Sequence, residues 1–197
     1  MNRWGPEGPP PEAYSRVTHP ERFRPLHDVA LALLRQLHAS FNVSYVEGYG
    51  LDSELEVGDL VRPSIRLVPV DSKAAPLAVT FTAFPGLRVR PGRWCTAAFP
   101  ACGCDACDES ADDEAARLAQ MIDDVVAGRF RERIVLAPAG DGSQEWELWS
   151  SPLGRSSGRL AIDRASAQAK LAGVEYTSID WAPWTRRHTA QSPSTTP

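Results

Sequence analysis

Cys95, Cys102, Cys104 and Cys107 are the only cysteines of the chain, and all lie within residues 95–107. Thiols crowded this closely usually serve one chemical unit, either a metal site or a redox site. Zinc gathers thiolates in a tetrahedron with Zn–S distances of about 2.3 Å. Cys102 and Cys104 flank Gly103, so an extended backbone points both thiols the same way. The glycine can take angles that other residues avoid, which helps the sulfurs converge. Cys104 and Cys107 form a Cys-x2-Cys knuckle, and a returning loop brings Cys95 up as the fourth ligand. The leading reading is a zinc ion held by Cys95, Cys102, Cys104 and Cys107. The spacing departs from common structural zinc sites, whose cysteine pairs come from segments about a dozen or more residues apart.

Other readings of the cluster stay open. A metal-dependent enzyme would use Cys102, Cys104 and Cys107 as ligands and keep water in the fourth position, leaving Cys95 structural. A thiol redox switch would use Cys104 and Cys107, aided by a helix N-terminus that follows them. Asp105, Asp108, Glu109, Asp112, Asp113 and Glu114 surround the motif. Their charge raises a thiol pKa and blunts its reactivity, whereas a bound cation reverses that logic. The remaining reading is a set of reduced cysteines that merely pack. An iron–sulfur cluster is a lesser variant, because Cys-x6-Cys-x-Cys-x2-Cys matches neither common ferredoxin pattern.

Less specific candidates have plainer explanations. The acidic run 108–114 suits a helix start capped by Ser110, where carboxylates complement the dipole. Arg62, Arg66, Arg88 and Arg90, with Arg93 nearby, could form an anion-binding patch, but the solvated face of an antiparallel sheet explains them more simply. His27 and His38 lie nearly in register on one helix and read as solvated positions. Trp146, Trp149, Trp181 and Trp184 read as core and cover for a sheet. The chain has no His-Glu-x2-His zinc motif.

The elements that position the cysteines follow from periodicity. A first helix begins near Pro25, with Leu26, Ala30, Leu33, Leu34, Leu37 and Phe41 forming one apolar stripe. Just before it a short turn starts at Thr18, which has capping-box spacing to Glu21. Strands follow at Val43–Val46, around Ile65 and Leu67, at Leu77–Phe81 and at Leu87–Val89. Pro63 marks the second of these as an edge strand. A second helix spans 111–127, two strands span 131–137 and 145–150, and a third helix runs from Asp163, its N-cap, to Ala172. The order α-β-β-β-β-α-β-β-α predicts an α+β fold, mainly antiparallel sheet packed with about three helices. Residues 1–13 and 185–197 are read as disordered, flanking a single domain over 14–184.

Composition bounds function loosely. With 197 residues, 43% of them hydrophobic, the chain can build one ordinary core. A net charge of −4 leaves no basic footprint for nucleic acid. No apolar run reaches the roughly 18 residues of a membrane span. The polar, proline-rich start does not read as a signal peptide, so the expected compartment is the cytoplasm. Thiols stay reduced there, which favours metal or redox chemistry over a disulfide framework.

Three blocks carry a resemblance: Tyr14-Ser15-Arg16-Val17-Thr18-His19-Pro20-Glu21-Arg22-Phe23, Cys102-Gly103-Cys104-Asp105-Ala106-Cys107-Asp108-Glu109 and Trp181-Ala182-Pro183-Trp184. Together they resemble a family of uncharacterised actinobacterial proteins, a domain of unknown function. An excess of arginine over lysine fits a GC-rich genome of that kind. The resemblance implies one compact domain and carries no activity to transfer. The expectation is a cytoplasmic, non-enzymatic binding or regulatory domain, braced by zinc, whose partner is another protein.

Overall fold

Leu26, Ala30, Leu34 and Leu37 are buried along one face of helix α1 (Pro25–Ser40), as their spacing requires. The computed structural model describes residues 4–49, 51, 55–138, 144–153, 156–172 and 177–187. After α1 come β1 (Val43–Gly48), β2 (Ser64–Pro69), β3 (Leu77–Phe81), β4 (Leu87–Pro91) and β5 (Ala97–Phe99). Helix α2 (Ala111–Val126), β6 (Arg131–Pro138), β7 (Gln144–Leu153), β8 (Ser156–Ile162), α3 (Arg164–Leu171) and β9 (Ser178–Asp180) complete the order. The α+β class holds, and β5, β8 and β9 are additions to the predicted strands.

The strands make two antiparallel sheets, one in the order β1-β2-β3-β4-β5 and one in the order β8-β7-β6-β9. Register decides the first sheet's faces. Ile65 pairs with Val79 and Val79 with Val89, while Phe81 pairs with Leu87 and Leu87 with Phe99. These rows are buried. The alternate row, Arg66-Ala78-Arg90, points to the other face, as the two-residue strand period demands. α1 packs on α2 and β1, and both α2 and α3 meet β7. One contiguous core therefore joins Leu34, Ile65, Val89, Leu118, Ile134, Leu148 and Ala167 across all three helices and both sheets. Among the described residues no helix is long and apolar enough to cross a membrane.

Several local expectations are corrected. β2 is an interior strand between β1 and β3. Pro63 stands just before it, so its missing N–H removes no ladder bond. The short turn after Thr18 is the 3-10 turn Pro20–Phe23, but Thr18 does not cap it; its backbone N–H and hydroxyl both donate to Asp105. His27 is not simply solvated: its Nε2 lies 2.8 Å from the Gly86 carbonyl and its ring meets Phe81 edge-on. The segment before residue 14 is partly packed, since Pro11–Tyr14 forms a 3-10 turn and Ala13 is buried. At the other end, Asn42 N–H donates to Thr185 and Arg187 N–H to Ser40, tying residues 185–187 to the end of α1. Residues 1–3, 139–143, 173–176 and 188–197 lie outside the described residues.

Candidate metal centre

The connection from β4 to α2 carries all four cysteines, and β5 divides it. A strand rises about 3.3 Å per residue, so Ala97–Phe99 moves the chain roughly 10 Å along before the second group of thiols begins. That extension separates Cys95 from the rest. Cys102, Cys104 and Cys107 bring their sulfurs within 4.8 Å of one another. Cys95 is outside that group and is buried elsewhere, 3% exposed. The geometry gives a three-thiol cluster where the spacing alone suggested four.

Both ends of the cluster loop are fixed. Arg117 of α2 lies over the Phe99 ring at 3.9 Å and donates to the Ala98 carbonyl at 2.5 Å, locking β5 to α2. Ser110 caps α2, accepting from Asp113 N–H at 3.1 Å. Within the loop, Gly103 has φ +80, a left-handed angle, and an added Cβ would stand 2.9 Å from the Phe84 ring. That turn aims the Cys102 and Gly103 N–H groups at one Glu109 oxygen, at 3.1 and 2.9 Å.

The N-terminal segment clamps the loop from outside. Asp105 N–H donates to Arg16 at 2.8 Å and Ala106 N–H to Ala13 at 3.1 Å. The Asp105 carboxylate accepts from Thr18 N–H at 2.7 Å and its hydroxyl at 2.6 Å. Arg22 donates to the Gly103 carbonyl at 3.0 Å and also to the Thr18 carbonyl. Residues from the first and second resemblance blocks are therefore joined in space. Sequence reasoning missed Thr18, Arg22 and Glu109 as supports of the cluster; their place within those blocks was the available signal.

The sulfurs tune one another. Cys104 and Cys107 have Sγ atoms 3.4 Å apart. Hydrogen bonding, first from Cys102, lowers the Cys104 pKa. The same coupling, first through Cys104, pushes Cys107 up to about 12. The first thiolate is favoured here and a second is resisted, which is the electrostatic condition a cation relieves. The expectation that acidic neighbours would raise these pKa values fails at Cys104. The hydrogen bonds reaching its sulfur outweigh carboxylates that are aimed at Thr18 and at backbone N–H groups.

Cys95 belongs to a different constellation. Glu132 of β6 is fully buried, and its oxygens accept from the N–H groups of Arg93, Trp94 and Cys95 at 2.6, 2.9 and 3.0 Å and from the Trp181 indole at 3.1 Å. Burial, reinforced by the Glu132 charge, pushes the Cys95 thiol up and keeps it protonated. Glu132 shares its strand parity with buried Ile134, so a charge at an inward position was the sequence signal for this nest.

The sequence matches a family model over residues 1–188. The chain belongs to DUF6226, a family of unknown function. No curated protein and no solved structure matches it. The family description names no activity, and the chemistry of this DUF6226 member rests on the residues above.

Proposed function

We propose that Cys102, Cys104 and Cys107 hold one zinc ion, and that the chain is a cytoplasmic, non-enzymatic binding or regulatory domain acting with another protein. The observation that carries the reading is the convergence of the three sulfurs within 4.8 Å on a loop clamped from two sides. Zinc would fasten the loop to the Arg16–Arg22 segment and to the start of α2, presenting a fixed surface to a partner. Cys95 is buried apart from the other three sulfurs, so water or a partner's side chain completes the tetrahedron. Elemental analysis of the reduced full chain tests this: about one zinc per chain is expected. Metal-free protein whose three clustered thiols alkylate rapidly in the native state would falsify it.

A second reading draws on the exposure of Cys102 and Cys107. A three-thiolate zinc with an open position can activate water, as a metal-dependent enzyme requires. The neighbouring hollow, about 340 Å³ and lined by Phe84, Gly86, Phe99 and Pro100 among others, includes no cysteine in its wall. That favours the binding domain. The third reading, a Cys104–Cys107 redox switch, is supported by their short sulfur separation and predicts one intramolecular disulfide under mild oxidant.

A further inference from the structure

The outward face of the first sheet has chemistry that the metal centre does not use. Arg66, Ala78 and Arg90 stand in one row across β2, β3 and β4. The small Ala78 leaves a gap between two long cationic side chains. Above this row lies a cavity of about 420 Å³, closed by the 92–94 loop, by Lys170 of α3 and by Trp181 beyond β9. Arg93 and Lys170 line it with Arg66 and Arg90. Four elements of the chain thus supply cationic groups to one hollow, and among the described residues lining it there is no carboxylate. Glu132 beneath is already satisfied by four donors, so it fixes the wall instead of competing for a ligand. Gly92 admits that contact, because a Cβ there would collide with Glu132 and stand 2.9 Å from the Trp181 indole nitrogen.

The geometry points to a binding site for an organic phosphate monoester of about mononucleotide size. Arginine forks match phosphate oxygens two at a time, and several converging cations suit a dianion better than a monocarboxylate. The volume falls within the roughly 300–1,000 Å³ of small-molecule sites, leaving room for a body beyond the phosphate. Trp181 offers an apolar wall for that body. Arg90 has a further interaction of its own, and the assignment rests on Arg66, Arg93 and Lys170. The site contains none of the clustered cysteines and stands or falls independently of zinc.

Calorimetric titration of the full chain with adenosine 5′-monophosphate tests it, with ribose 5-phosphate, inorganic phosphate and adenosine as parallel probes. The two monoesters are expected to bind, inorganic phosphate more weakly, and adenosine not at all. Arg66→Ala and Arg93→Ala should each weaken the monoesters about tenfold, the scale of a lost charged hydrogen bond. Both side chains are exposed, so these variants should keep the fold, checked by their unfolding midpoints. Ala78→Leu, which fills the gap without changing charge, should also abolish binding. Adenosine binding as tightly as its monophosphate, monoester binding unchanged in both arginine variants, or no binding of either monoester would each overturn the assignment.

Discussion

The 92–95 and 102–107 loops use the same device to opposite ends. In each, one glutamate collects consecutive backbone N–H groups: Glu132 takes those of Arg93, Trp94 and Cys95, and Glu109 takes those of Cys102 and Gly103. The first carboxylate is buried where the sheets meet, and there burial, reinforced by its charge, pushes the Cys95 thiol up. The second sits near the surface, and its cysteines set one another's charge. A cysteine's chemistry is decided by what surrounds its sulfur, and residues on one short connection can end as a packed thiol and as a candidate ligand.

The largest break in this comparison is Glu132→Ala. It would strand buried N–H donors, each costing about 1–3 kcal/mol, so a loss of roughly 3–5 kcal/mol is expected from urea unfolding. A loss below about 1 kcal/mol would show that the nest does not organise the junction. Next is removal of the proposed zinc. With zinc at a hundred times its dissociation constant, chelation should lower stability by about 2.7 kcal/mol, and Cys104→Ser should reproduce that loss along with the loss of bound zinc. Equal stability with and without chelator would count against the brace.

Gly103→Ala sharpens the geometry of the exposed loop. With φ +80 and the Phe84 ring in the way, it should cost about 1–2 kcal/mol and weaken zinc binding. Cys95→Ser tests the other side: about 1 kcal/mol of stability lost, with zinc content unchanged. In metal-free native protein, Cys102 and Cys107 should alkylate first and Cys95 only on unfolding; early modification of Cys95 would erase the contrast. The smallest effect concerns His27, whose pKa is lowered, chiefly by burial. The folded state favours the neutral ring, so this stability is full above the unfolded value of about 6.5 and is lost as pH falls through the lower folded value. The half-exposed ring limits it to below about 1 kcal/mol, and His27→Gln should flatten that part of the urea-midpoint profile. An unchanged slope in the variant would remove His27 as its source.

The sequence by itself determined the helices α1, α2 and α3, the α+β class and the caps Ser110 and Asp163, because periodicity and capping act over one or two turns. It also singled out Cys102, Cys104 and Cys107, whose spacing is local. Tertiary structure alone decided the rest. β5 is too short to announce itself, yet pairing with β4 extends the chain and carries Cys95 away from the other thiols. Thr18 reaches Asp105 across 87 residues, Arg93 reaches Glu132 across 39, and Lys170 joins Arg66 around one cavity only because two sheets share a core. Such contacts have no sequence period, since they arise from burying apolar faces that lie far apart along the chain.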